Sequence, residues 1–272
     1  MLRKTLIYKT GMGEIDYCLN HVLGCSHGCR YPCYAYLMAK RFGRVRNYAE
    51  WLNPQVVENA LELLDKEIPK FKDKIKLLHL CFSTDPFMYG HPEIAELSLK
   101  ILTRANLAGI RCSVLTKGVL PYELAQMPLA QENRYGITLV SLNDKFLERY
   151  EPGASKAGER LKALRALHEA GCKTWICIEP YPTPNIIRQN LGELLEAVSF
   201  ADQIVFGRLN YNNLVEQCPN YEQFYKKCAD TVTDFCNRHG INCNLKNKDT
   251  ATTPAYKSEP AAPVSRQQEL DL

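Results

Sequence analysis

The chain has 272 residues, 46% of them hydrophobic and 24% charged, with a formal net charge of +4. Those proportions belong to an ordinary globular protein and exclude fibrous or low-complexity chains; the mild positive balance permits a polyanionic partner without requiring one. Twelve cysteines are many for this length. The N-terminal MLRKTLIYKTGMG has a basic start but lacks the apolar centre of a secretory signal. No apolar run reaches membrane-spanning length. The expectation is a cytoplasmic chain with no membrane association, in which clustered thiols bind metal more often than they form disulfides.

From about Tyr17 to Leu245, short β-rich runs alternate with helical patterns. Strands are predicted at Tyr17–Leu23, Ile75–Phe82, Arg111–Thr116, Tyr135–Leu142, Thr174–Glu179 and Gln203–Leu209. Helices are predicted at Pro54–Glu67, Pro92–Ala108, Ala157–Ala170, Ile186–Phe200 and Tyr221–Arg238. Six β-then-α units in succession imply parallel strands with right-handed crossovers, hence an α/β fold and a partial (β/α)6 TIM-like barrel. Chemistry in such a barrel sits at the carboxyl ends of the strands. Residues 1–248 read as one core domain. Residues 249–272, rich in Pro, Ala, Thr and Ser, read as a disordered tail.

The unusual motifs fall at the predicted strand ends. After the first strand comes GCSHGCRYPCY, with Cys25, Cys29 and Cys33 spaced C-x3-C-x3-C. Three thiolates this close can ligate three irons of a [4Fe–4S] cube and leave the fourth iron open. The same loop also offers a zinc knuckle, completed by His27 or Cys18, although its spacing differs from the paired C-x2-C of common zinc modules. Tyr31 and Tyr34 supply aromatic cover. The second strand ends in CFSTDPFMYG (Cys81–Gly90), which carries Ser83, Thr84 and Asp85 into an Asp-Pro turn. VLTKG ends the third strand on Lys117. The fourth ends in Ser141 and Asn143, followed by Glu151-Pro152-Gly153. Glu151 and Arg160 are candidates for a structural ion pair, and Ser155 for a helix N-cap. The fifth strand, TWICIEP, carries Ile176 and Ile178 toward a core or a ligand, with Glu179 at the rim. The sixth, FGRLNYN, brings Arg208 and Asn210 to the same end.

Taken in order, these motifs resemble the radical S-adenosylmethionine (SAM) superfamily, and especially its spore photoproduct lyase-like branch. The resemblance covers roughly Tyr17 to Leu245 and departs from the usual C-x3-C-x2-C by the insertion of Pro32. It implies Cys25, Cys29 and Cys33 as cluster ligands. It further implies contacts to SAM from Tyr31, Tyr34, Thr84, Asp85, Lys117, Ser141, Asn143 and Ile178. The implied cofactors are a [4Fe–4S] cluster and SAM, whose reductive cleavage yields a 5′-deoxyadenosyl radical, with an electron donor such as flavodoxin or ferredoxin as partner. In the lyase-like branch the substrate is a DNA lesion, which implies nucleic acid here and Cys81 as hydrogen donor. Rival expectations keep the chemistry on a peptide, tRNA or small metabolite, or reduce the chain to a non-enzymatic metal-binding module. Cys218, Cys228, Cys236 and Cys243 raise a second metal site. The terminal RQQELDL, with Gln267, Leu270 and Leu272, resembles the short peptide by which bacterial repair proteins hold the sliding clamp.

Overall fold

The computed structural model describes residues 1–12 and 15–246. The tail with its clamp-like peptide therefore lies outside the described residues. In chain order the strands are β1 (Ile7–Met12), β2 (Ile15–Leu19), β3 (Val22–Leu23), β4 (Gln55–Val56), β5 (Leu78–Leu80), β6 (Cys112–Thr116), β7 (Arg134–Thr138), β8 (Lys173–Tyr181), β9 (Gln203–Arg208) and β10 (Asn242–Leu245). The helices are α1 (Tyr34–Arg41), α2 (Tyr48–Trp51), α3 (Ala60–Phe71), α4 (Pro92–Leu107), α5 (Asp144–Tyr150), α6 (Ala157–Glu169), α7 (Leu191–Ala197), α8 (Asn213–Glu216) and α9 (Tyr221–His239).

One sheet runs β1-β2-β5-β6-β7-β8-β9-β10. Every pair from β2 to β10 is parallel, and only β1 against β2 is antiparallel. The six parallel strands β2 and β5 to β9 are the predicted partial barrel, here widened by a strand at each edge. Both additions escaped the sequence pattern. β1 is the first arm of a hairpin, and β10 has three exposed residues out of four, so neither shows a buried run.

The helices cover the outer face, and their apolar stripes join the strands in one large core that includes Leu64, Leu78, Ile101, Leu164, Ile176, Ile204 and Val232. α4 begins with Pro92 in its first turn and Glu93 beside it and ends with Arg104, a charge order that suits the helix dipole. Two predicted helices start later than expected, for local reasons. Gln55 and Val56 are taken up by pairing with β3, which delays α3 to Ala60. Asn190 accepts the Gly192 N–H and caps α7, so Ile186 and its neighbours stay outside. The predicted second strand stops at Leu80, because Cys81 takes a left-handed φ of 57°. Gly136 on β7 is required by its neighbour: a Cβ there would stand 2.4 Å from the Trp175 ring. Among the described residues no helix is long and apolar enough to cross a membrane.

Candidate active site

The cysteine loop runs from β3 to α1 across the carboxyl ends of the barrel strands. It has no regular structure of its own, so its backbone groups are satisfied from four sides. Cys25 N–H donates to Trp51 O at 2.8 Å, and Arg30 N–H to Tyr150 O at 2.8 Å. Gly153 N–H reaches His27 O at 2.9 Å, and the Tyr48 hydroxyl reaches Cys29 O at 2.7 Å. Gly153 is needed for that approach, since a Cβ there would stand 2.2 Å from Ser26 O. His27 is buried: its Nε2 accepts the Tyr89 N–H at 3.0 Å, and Nδ1 stands 3.5 Å from Asp85. That ring therefore straps the loop to the segment after β5, and Nε2 is already engaged, which removes His27 from a zinc set.

Cys25, Cys29 and Cys33 are partly exposed, whereas eight of the other nine cysteines are buried and Cys243 is exposed. Cys33 stands at the N-cap position of α1, where the nearby N–H groups of Tyr36 and Ala35 oppose the upward push of burial on its thiol. Burial pushes Cys29 up to about 12, against the pull of Lys117, whose Nζ lies 3.5 Å from the sulfur. The thiols also raise one another electrostatically. Among the described residues no three His, Cys, Asp or Glu side chains converge on one ion. A cube makes a different demand, since each thiolate takes its own iron.

Behind the loop stands a buried ion triad. Lys117 Nζ lies 2.6 Å from Glu151 Oε1, and Arg160 lies 2.8 Å from Glu151 Oε2. Arg160 also donates to Ser155 O at 2.7 and 3.0 Å and to Thr138 O at 2.9 Å. Burial alone would raise the Glu151 pKa, but Lys117 and Arg160 overcome it and hold the carboxyl below its ordinary value. The ion pair expected between Glu151 and Arg160 is present, and Lys117 extends it to Cys29. Lys117 also sits 5.3 Å from the centre of the Tyr31 ring, which stacks on Tyr150 at 5.2 Å.

The remaining sequence candidates divide in two. Thr84 Oγ1 and the Tyr31 hydroxyl are buried with no nitrogen or oxygen partner; Thr84 has only the Cys81 thiol near it. Such orphaned groups are costly unless a ligand completes them. The second set is already engaged by protein. Asp85 accepts from Phe87 N–H (2.9 Å), the Thr116 hydroxyl (2.6 Å) and Lys117 N–H (2.8 Å), and so pins the ends of β5 and β6 together. Asn143 caps α5, and Ser141 Oγ accepts the Asn143 N–H at 3.1 Å. Ile178 is fully buried on β8, and Tyr34 is exposed at the start of α1. Glu179 at the rim pairs with Lys246 after β10.

Cys81 packs among Val22, Met88 and Ile94, next to Cys25. A hydrogen-bonded chain behind it went unread in the sequence. Ser98 donates to Pro86 O at 2.5 Å, so its oxygen accepts from His21 Nε2 at 2.8 Å. That tautomer turns the His21 Nδ1 lone pair to the Cys81 thiol, 3.4 Å away. Burial lowers the His21 pKa to about 3, so the ring is neutral. The only sequence signal was a histidine inside the first predicted strand, Tyr17–Leu23.

The donor set and its clamped loop fit an iron–sulfur cube with an open corner, and the family model of the radical SAM superfamily matches residues 19–198. The chain belongs to the radical SAM superfamily, and its cofactors are a [4Fe–4S] cluster and SAM. Among curated relatives it is similar to an uncharacterized protein, ORF301, of Acidianus two-tailed virus. The two are 29% identical over 209 residues, or 71% of this chain and 66% of that one. Another uncharacterized protein, MJ0683 of Methanocaldococcus jannaschii, is 29% identical over 65% of this chain and 64% of its own length. The chain thus spans about two thirds of the length of the curated relatives it matches. Solved structures of spore photoproduct lyase share the fold. One with bound SAM and dinucleoside spore photoproduct superposes with a TM-score of 0.62 at 17% identity, covering 90% of this chain and 80% of that one.

Proposed function

We propose that this chain is a radical SAM enzyme acting on nucleic acid held above the barrel mouth, with Cys25, Cys29 and Cys33 as its cluster ligands. When bound, the cluster and SAM together supply a 5′-deoxyadenosyl radical that abstracts hydrogen from the substrate. The observation that carries the reading is the clamped cysteine loop, tied through Lys117 to a buried triad of two cations on one carboxylate at the strand ends. Support for nucleic acid comes from the shared fold, since one spore photoproduct lyase structure is complexed with dinucleoside spore photoproduct. The positive net charge agrees with it.

In this reading Lys117 offers its ammonium to the carboxylate of SAM while Glu151 holds it in position. The unpartnered hydroxyls of Thr84 and Tyr31 complete their hydrogen bonds on the cofactor, and Ser141 donates its own hydroxyl proton toward it. Tyr34 and Ile178 give aromatic and apolar walls. Asp85 and Asn143 are positioning residues, because protein donors already occupy their oxygens. The reading gives Cys81 no part as hydrogen donor: its thiol is buried, bonded to His21 and packed in an apolar cluster. Residues 1–248 form the core domain of a cytosolic protein, reduced by a flavodoxin or ferredoxin.

Anaerobic reconstitution, reduction with dithionite and assay of 5′-deoxyadenosine test the chemistry. Parallel reactions with lesion-bearing DNA, tRNA and peptides test the substrate. Cofactor cleavage stimulated by DNA alone is the expected result. Stimulation by peptide or tRNA instead overturns the substrate, and a reduced cluster whose paramagnetic spectrum ignores added SAM overturns the chemistry.

A further inference from the structure

The opposite end of the barrel carries a feature that the mouth chemistry leaves unused. Lys9, Lys74, Lys76, Arg111, Arg134 and Lys173 line one concavity of about 730 Å³. Among the described residues that line it, Asp16 and Glu132 are the acids, and the Asp16 carboxylate is engaged by the backbone N–H groups of Lys76 and Leu77 at 3.0 to 3.2 Å. Six cations against two acids leave an excess of four, equal to the formal excess of the entire chain. Except for the half-buried Arg134, all six cations are exposed.

Their order follows from the parallel sheet. Lys76, Arg111, Arg134 and Lys173 stand at the amino ends of β5, β6, β7 and β8, four adjacent strands. Arg134 is the direct register partner of Lys173. With neighbouring strands ~4.8 Å apart, the four positions form a row of ~14 Å on a curved surface. That is too long for one phosphate group but matches four or five successive phosphates of one nucleic-acid strand, which carries a charge every ~3.4 Å of helix axis.

We propose that this bowl binds the phosphate backbone of single-stranded nucleic acid, independently of the reaction at the mouth. An acidic electron-donor protein fits the position poorly. From Arg134 to Ser141 the chain runs seven residues along the barrel, roughly 20 Å in extended geometry, so a donor docked here would face the cysteines through the barrel's full depth.

The test is fluorescence anisotropy of labelled oligothymidylate with the full chain, purified anaerobically, between 50 and 200 mM salt. Neutralising four phosphates gives a log–log salt slope of roughly −3, at about −0.7 for each. The triple variant Lys76→Gln, Arg111→Gln, Lys173→Gln is expected to bind at least about tenfold more weakly and to lose roughly two units of that slope. A control with the same charge loss on exposed helix faces, Lys100→Gln, Lys226→Gln, Lys227→Gln, is expected to bind as the unaltered chain does. Equal weakening in both triples, absence of binding by the unaltered chain, or equal affinity for duplex overturns the proposal. 5′-Deoxyadenosine formation without oligonucleotide is expected to be unchanged in the bowl variant. A failure there concerns the mouth, and a failure of anisotropy concerns the bowl.

Discussion

Cys25, Cys29 and Cys33 lie on an irregular loop held by backbone hydrogen bonds, with an ammonium group 3.5 Å from one sulfur. Cys228 and Cys236, eight residues apart on α9, are instead buried in the main core with Tyr225, Val232 and Phe235. Burial pushes the Cys228 thiol up to about 11 and Cys236 up to about 12, with no cation among the causes. Cys243 on β10 adds to the rise at Cys236, yet among the described residues no three ligands gather there. The C-terminal cysteines also lie beyond the matched family segment, which ends at residue 198. Cysteine density alone therefore does not separate a metal ligand from a core residue. What separates them is the company each thiol keeps: polar backbone and balancing charge in one case, apolar side chains in the other.

The strongest way to break that contrast is by substitution at each end. Changing Cys25, Cys29 or Cys33 to Ala is expected to lower 5′-deoxyadenosine formation by more than about 100-fold and to strip iron from the protein. Cys228→Ala and Cys236→Ala should keep one cube per chain, at a stability cost of about 1–2 kcal/mol. Iron and sulfide analysis decides between the two. Iron lost equally from both sets would erase the distinction.

Next in size is the triad behind the loop. Glu151→Gln leaves Lys117 and Arg160 buried without their carboxylate, and breaking such a set costs about 3–5 kcal/mol, read from denaturant unfolding. A cost near that of a surface pair would mean that water enters the triad.

A third expectation concerns pH. His79 is buried in the barrel near Trp175, with Nδ1 unpartnered, and burial lowers its pKa to about 4. Its ordinary value is near 6.5, so below that pH the unfolded chain takes up a proton that the folded chain refuses. The stability this contributes is present above pH 6.5 and falls as the pH drops toward 4. By pH 5 the loss is about 2 kcal/mol, and His79→Gln should remove that part of the slope. The neutral His21 contributes in the same direction in both proteins.

The smallest effect belongs to α9. Lys226 and Asp230 pair at 2.9 Å on an exposed face, and Lys226→Ala should change stability by less than about 0.5 kcal/mol. A larger change would show that this helix depends on charge as the mouth does.

Much of the barrel was legible in the chain itself, because buried parallel strands are continuous apolar runs and their helices repeat every three to four residues. β6, β8, β9, α4, α6 and α9 fall within two residues of their predicted bounds. The thiol trio was legible for another reason: three cysteines within nine residues are brought together by the loop alone. Tertiary structure decided the rest. It assigned Asp85 to a strut between strand ends, joined Lys117 to Glu151 and Cys29, and turned Cys81 toward His21. It also collected six cations from distant segments into one bowl. Local periodicity reports which face of an element is apolar, whereas a polar side chain's partner depends on elements tens of residues away.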